Sequence, residues 1–164
     1  MKEAISDRLR EIGLFAGLGD DLLRDLASSL TSKLVAPGEV VFREGESGRE
    51  LFVLLDGEME VSRKTPGGHE CRMAILGPGD WFGEMSVLDV MPRSATIRAL
   101  SHSSLLVMTG HDLDTLYRRD LKAYSLLVLN IARELSRRLR VADGLVARFL
   151  SSVVDEYTGH RLSR

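Results

Sequence analysis

The chain is poor in the features that mark a secreted, membrane or nucleic-acid-binding protein. Cys71 is its single cysteine, so no intrachain disulfide can form, which is typical of a reducing compartment. No apolar run is long enough to cross a bilayer, and the charged opening MKEAISDRLREIG does not resemble a signal peptide. A net charge of -2 provides no overall attraction to nucleic acid or to an anionic membrane. We therefore expect a cytoplasmic protein.

The sequence also has little that would support catalysis or metal binding. A metal-binding jelly roll needs two histidines close together on one strand, a carboxylate and a later histidine. The four histidines do not have that spacing; they are His69, His102, His111 and His160. Cys71 has His69 nearby but no acid to complete a nucleophilic set. We therefore expect no enzyme, no metal site and no cofactor.

What the chain does contain is a pattern in three zones. Its 164 residues, 44% hydrophobic and 28% charged, are ordinary for one globular domain. Apolar residues recur at helical spacing in residues 1–35, which predicts N-terminal helices. Residues 36–110 hold short β-rich runs between glycine, proline and aspartate. Residues 111–150 return to helix, and we expect a loose tail over 151–164.

The middle zone predicts a closed antiparallel sheet. Its strand candidates are Val40–Arg43, Leu51–Leu55, Met59–Arg63, Cys71–Leu76, Ala95–Ala99 and Ser104–Met108. Pro37-Gly38, Asp56-Gly57 and Gly67-Gly68 are among the turn candidates. Many short strands without helical crossovers favour a β-roll or jelly roll of about eight strands. The predicted class is α+β, with N-terminal helices, a β-roll and a long C-terminal helix.

The last helix, over residues 121–150, has a heptad pattern of about three repeats. Its members are Val128, Ala132, Leu135, Leu139, Ala142, Val146 and Phe149. A helix of this length reaches about 45 Å, more than the roll needs for its own cover. The pattern therefore favours a homodimer through this helix; the alternative is an amphipathic helix that lies on its own roll. Its arginines are interpreted as a solvated flank, so we expect no direct binding to DNA.

The most informative segment is 82–99, FGEMSVLDVMPRSATIRA. Gly83 has no side chain, so a ligand can approach the backbone there, and backbone amides at a helix start attract phosphate. Arg93 offers the planar guanidinium that suits a phosphate oxygen. The segment resembles the phosphate-binding cassette of the cyclic-nucleotide-binding domain family, whose pattern is F-G-E-[LM]-[AS]-x-L followed by P-R-[AST]-A-[TS].

The resemblance implies a site for a cyclic mononucleotide. The ligand-binding residues it indicates are Gly83, Glu84, Met85, Ser86, Arg93, Ser94, Ala95 and Thr96. In the family, the matching glutamate accepts a hydrogen bond from the ribose 2′-hydroxyl and the matching arginine binds the phosphate. Serine at the position of Ser94 occurs in members that bind either nucleotide and does not decide between them. The resemblance as a whole implies cAMP first and cGMP second.

The sequence defines less well which residues contact the nucleotide base from below and from above. Val53 and the run Met73–Ile75 are candidates for an apolar floor under base and ribose. In bacterial regulators of the family, a Thr-Ser pair after an R-R-L-x-V run caps the base. Here Arg137-Arg138-Leu139-Arg140-Val141 is followed by Ala142-Asp143, so the pair is absent and Arg140 or Asp143 is the candidate substitute.

The expected role is that of a sensor. Ligand in the cassette shifts the position of the C-terminal helix, which signals to a downstream protein that the sequence does not identify. About fifteen residues follow Phe149, too few for the helix-turn-helix domain of the family's transcription regulators. Two alternatives stay open: a dimeric interaction module that binds no nucleotide, and the sensor fragment of a truncated transcription regulator.

Overall fold

The structure is a computed structural model that describes residues 2–159. Its helices are α1 (Lys2–Glu11), α2 (Asp20–Ser29), α3 (Glu84–Leu88), α4 (Gly110–Arg119) and α5 (Leu121–Gly159), with a 3-10 turn at Gly13–Phe15. Its strands are β1 (Thr31–Val35), β2 (Val40–Phe42), β3 (Glu50–Asp56), β4 (Met59–Lys64), β5 (Glu70–Leu76), β6 (Trp81–Phe82), β7 (Thr96–Ala99) and β8 (Ser103–Thr109). The predicted α+β class, with N-terminal helices, an antiparallel roll and a long C-terminal helix, is confirmed.

The strands form two antiparallel four-stranded sheets. One has the order β1-β8-β3-β6 and the other the order β2-β7-β4-β5. In the first sheet, Phe52 pairs with Phe82 and Val53 with Trp81. This register places the start of segment 82–99 directly beside β3.

The core of the roll comes from alternate residues of these strands. Its buried members are Val35, Phe52, Leu54, Met59, Phe82, Ile97, Ala99 and Leu105. Side chains alternate across a strand, so Val53 points away from Phe52 and Leu54 to the other face of the sheet. Trp81, which pairs with Val53, reaches to within 3.5 Å of the Cβ position of Gly13. That face is therefore the one that the N-terminal segment covers.

Residues 31–35 correct the prediction that residues 1–35 are helical. Helix α2 ends at Ser29, Leu30 is extended, and Thr31–Val35 form β1. The strand is hydrogen-bonded to β8, from Thr31 opposite Val107 to Val35 opposite Ser103. A pattern read along the chain does not reveal a partner so distant in sequence, and this pairing decides the conformation of β1.

Helix α5 is longer than predicted. It continues past Leu150, where a loose tail was expected, and is helical to Gly159; residues 160–164 lie outside the described residues. The contacts divide the chain into one compact unit up to Leu127 and a second from Val128 onward, whose described residues all belong to α5. Across residues 2–159, no helix combines the length and the apolar character that a membrane crossing requires.

Candidate functional site

Gly83 turns the chain from β6 into α3. Its backbone is left-handed, with φ of +85°, a conformation that glycine adopts without the strain other residues suffer. A Cβ at this position would lie 2.6 Å from the carbonyl oxygen of Glu50 and 2.8 Å from Nη1 of Arg93. Glycine is therefore what allows α3 to begin in contact with β3 and Arg93.

Arg93 lies inside the roll, with 4% of its surface exposed. Its Nη1 donates to the carbonyl oxygens of Glu50 and Gly83, at 2.8 and 3.2 Å, and to Oγ of Ser86 at 3.3 Å. Its Nη2 donates to the Glu50 carboxylate at 2.7 Å. These bonds join segment 82–99 to the first residue of β3 and hold the guanidinium in one orientation.

One nitrogen of this guanidinium differs from the other two. Nε of Arg93 is buried, and no atom of the described residues accepts a hydrogen bond from it. An unpaired buried donor costs about 1–3 kcal/mol, so it points to an acceptor that arrives from outside. Gly48 borders the same group, because a Cβ there would lie 2.6 Å from Nη2 and 2.8 Å from Nε. The bare backbone of Gly48 thus keeps the space beside this donor open.

Two aromatic rings complete the surroundings of Arg93. Its Cζ lies 4.1 Å from the ring centroid of Phe42 and 5.7 Å from that of Phe52. Phe52 in turn stacks on Phe82, with the ring centroids 5.2 Å apart. The cation therefore rests on the aromatic part of the roll core, while its edge carries the hydrogen bonds.

The electrostatics of the site favour an anion of low charge. Burial lowers the pKa of Arg93, and the carboxylates of Glu50, Glu46 and Glu84 oppose that shift. A guanidinium starts from a pKa far above neutral, so Arg93 remains charged. Since Glu50 forms an ion pair with it at 2.7 Å and is itself part-exposed, a singly charged ligand is easier to accommodate here than a multiply charged one.

The structure brings the predicted residues of α3 to Arg93. Glu84 and Ser86 are buried, with 4% and 2% of their surfaces exposed. Met85, between them, is exposed, at 44% of its surface. Ser94 is exposed as well, and its Oγ donates to Sδ of Met85 at 3.5 Å. Buried polar side chains and exposed ones thus come from the same short segment.

Ala95 and Thr96 follow Arg93 into β7 and are both buried. The hydroxyl oxygen of Thr96 accepts a hydrogen bond from the backbone N–H of Glu44 at 3.0 Å. In this structure Thr96 therefore ties β7 to the loop after β2, and its contact with a ligand stays a prediction.

Val53 is not part of this cluster. It is 1% exposed and lies on the face of β3 opposite to Phe52, whose ring neighbours Arg93. The prediction that Val53 lines a floor under the base is corrected, because strand alternation directs it toward the N-terminal segment.

The remaining candidates are exposed. Met73 and Ile75 lie on β5, where most residues are exposed, and they remain candidates for the apolar floor. Arg140 and Asp143 are exposed positions of α5 in the unit from Val128 onward. Their role in capping a base stays a prediction.

Sequence reasoning missed three residues of the site. Phe42, Gly48 and Glu50 all contact or border the guanidinium of Arg93, yet they lie more than forty residues before it. Phe42 lay in the predicted strand Val40–Arg43. Nothing in the local pattern marks them as neighbours of Arg93, because the two segments meet only in the fold, through backbone hydrogen bonds between Arg93 and the loop at Gly45 and Glu46.

Comparison with known proteins identifies the family of the chain. The sequence profile of the family described as "Cyclic nucleotide-binding domain" matches residues 32–120, more than half of the chain. The chain is 39% identical, over 79% of its length, to the Cyclic AMP receptor protein of Thermus thermophilus. It is 40% identical, over 56% of its length, to the cAMP-dependent protein kinase regulatory subunit of Yarrowia lipolytica.

A solved structure shows the same architecture. The crystal structure of a cyclic nucleotide-binding domain from Methylobacillus flagellatus superposes with a TM-score of 0.79 at 26% identity, covering 90% of this chain and 83% of that one. The chain spans 58% of the length of the Thermus protein and 24% of that of the Yarrowia subunit.

Proposed function

The chain belongs to the cyclic nucleotide-binding domain family, and on this premise we propose that it binds a 3′,5′-cyclic mononucleotide at Arg93 as a regulatory domain. The observation that carries the proposal is the buried Nε of Arg93, which is charged and has no acceptor among the described residues. A cyclic phosphodiester is a singly charged acceptor of the kind this donor needs. A guanidinium–phosphate hydrogen bond is among the strong ones in proteins.

The phosphate is held from two sides. Nε of Arg93 donates to one oxygen, beside the bare backbone of Gly48. The other oxygens face the first turn of α3, at Glu84, Met85 and Ser86, where the backbone N–H groups point toward the start of the helix. Gly83 allows the ligand to approach that turn closely.

Glu84 recognises the ribose. A carboxylate and an anionic phosphate repel each other. A hydrogen bond from a sugar hydroxyl to the carboxylate compensates for this repulsion. The 2′-hydroxyl of a cyclic nucleotide is the donor that fits. Because Glu84 is buried, this interaction is shielded from water and distinguishes a ribose from a deoxyribose.

The nucleotide we propose first is cAMP, with cGMP second. The names of the Thermus and Yarrowia relatives refer to cyclic AMP, which supports this order. Ser94 is exposed at the mouth of the site, where its hydroxyl can serve either base. Met73 provides apolar surface on β5, and Arg140 or Asp143 is the proposed cap.

Calorimetric titration tests this function. We expect the ligand-free protein to bind cAMP with a dissociation constant in the micromolar range or below, cGMP more weakly, and 5′-AMP much more weakly. The carboxylates of Glu46, Glu50 and Glu84 repel the doubly charged phosphate of 5′-AMP more strongly than the singly charged phosphate of a cyclic nucleotide. Co-purified nucleotide is removed and checked first. If neither cyclic nucleotide binds at millimolar concentration, the chain is an interaction module without a ligand on the same fold.

Signalling passes through α5 in this proposal. Nucleotide in the site shifts the conformation of this helix, and the downstream protein responds to that shift. The titrated samples are examined by hydrogen–deuterium exchange, where we expect cAMP to alter the protection of residues 121–150. Exchange in this helix that is identical with and without saturating cAMP contradicts the signalling proposal, though not the binding.

A homodimer through α5 is the second part of the proposal. Its heptad positions from Leu139 onward are exposed in the single chain, and they form an apolar stripe with Val146 and Phe149. We expect Leu139→Asp to convert a dimer into a monomer in sedimentation velocity experiments, while the roll keeps its unfolding temperature. Arg148→Asp changes a charge on the same helix outside the heptad positions and is the matched control. A wild-type chain that sediments as a monomer contradicts the dimer.

A further inference from the structure

Phe42 is the closest aromatic neighbour of the site's cation. The ring lies at the end of β2, partly exposed, with its centroid 4.1 Å from Cζ of Arg93. It also touches the roll core, at ring-centroid distances of 5.8 Å from Phe52 and 5.9 Å from Phe82. One face of this ring array therefore supports an arginine whose side chain is 3% exposed.

This contact differs in kind from the others that Arg93 makes. Glu50, Gly83 and Ser86 hold the guanidinium through its N–H groups, and each such bond uses donor capacity. A ring against the guanidinium attracts the cation through its quadrupole and uses no N–H group. Phe42 can thus fix the orientation of the cation while Nε stays available.

We propose that Phe42 is a positioning residue of the nucleotide site, which orients Arg93 so that Nε faces the phosphate. This proposal rests on the proposed function, because it assumes that the acceptor for Nε is the phosphate of a cyclic nucleotide. Phe42 acts through Arg93 and does not itself touch the ligand. A residue that serves only the core would be replaceable by any apolar side chain of similar volume.

The test compares Phe42→Leu, which keeps most of the apolar volume, with Phe42→Tyr, which keeps the ring. In titrations with cAMP we expect Phe42→Leu to weaken binding about three- to tenfold, and Phe42→Tyr to stay within about twofold of wild type. Phe42→Met is the second ring-less variant, should the leucine variant fold poorly. In an Arg93→Ala background the effect of Phe42→Leu is expected to disappear, because the residue acts only through the cation.

A measurement on ligand-free protein separates this proposal from the proposed function. The side-chain Nε–H signal of Arg93, assigned with Arg93→Lys, is followed by NMR. We expect the ring-current shift of this proton to fall in Phe42→Leu and Phe42→Met, where only the more distant ring of Phe52 remains, and to persist in Phe42→Tyr. If wild type binds no cyclic nucleotide, the proposed function fails and this signal alone decides the orientation of Arg93. An unchanged Nε–H shift in the ring-less variants, or unchanged cAMP affinity in a protein that binds it, overturns the positioning role.

Discussion

We expect Arg93→Ala to weaken the binding of cAMP about 100-fold or more. The phosphate loses a hydrogen bond to a charged donor, worth about 1.5–3 kcal/mol, and about 1.4 kcal/mol corresponds to a factor of ten in affinity. The loss is larger because the variant lacks the positive charge of Arg93. The carboxylates of Glu46, Glu50 and Glu84 then repel the anionic phosphate without compensation. Isothermal titration of wild type and variant under identical salt conditions measures the difference.

Two further variants make the Arg93 result specific. Arg98→Ala removes a nearby arginine of β7 that donates to the carbonyl oxygen of Gly38, and we expect it to bind cAMP like wild type. Arg93→Lys keeps the charge but loses the planar array of donors, so its affinity should lie between wild type and Arg93→Ala. Circular dichroism verifies that each variant is folded. Affinity of folded Arg93→Ala within threefold of wild type would exclude Arg93 as the phosphate ligand.

The second large effect concerns Gly83. We expect Gly83→Ala to lower the free energy of unfolding by about 2–4 kcal/mol, measured by urea denaturation. The left-handed backbone, at φ of +85°, accounts for about 1–2 kcal/mol of this. The rest is crowding of a similar size, since the new Cβ would lie 2.6 Å from the carbonyl oxygen of Glu50, a backbone atom that yields little.

Gly68 supplies the matched control for Gly83. Its φ is +80°, nearly that of Gly83, but among the described residues no heavy atom beyond its own chain neighbours lies within 4 Å of its Cβ position. Gly68→Ala should therefore show the backbone part of the loss, about 1–2 kcal/mol, without the crowding. Equal losses for the two variants would mean that α3 and β3 separate easily, and that the close packing around Gly83 does not stabilise the roll.

The candidate binding residues of segment 82–99 could be predicted from the sequence because they lie close together along the chain. Gly83, Glu84, Ser86 and Arg93 are delivered by a single short stretch, so the one-dimensional pattern carries their relation. The β-rich runs and their glycine turns are equally local, which is why the fold class was predicted correctly. The error at Thr31–Val35 has the opposite cause, since β8 stabilises that strand from far along the chain.

The surroundings of Arg93 were not predictable in this way. Phe42, Gly48 and Glu50 meet the guanidinium only after the two sheets close into a roll. Val53 was wrongly included for a related reason: the side that a strand residue faces depends on which sheet covers it, and here Trp81 and the N-terminal segment cover Val53.

The sequence by itself determined the family, the β-roll between helices and the pair of an acid and a base, Glu84 and Arg93, at which we propose that a cyclic nucleotide binds. These follow from spacing along the chain, which covalent geometry transmits directly into the local structure. The tertiary structure alone decided that Arg93 is buried against Phe42 and paired with Glu50 while its Nε stays without an acceptor. Burial and pairing depend on strand register, and register is set by packing between segments far apart in the sequence.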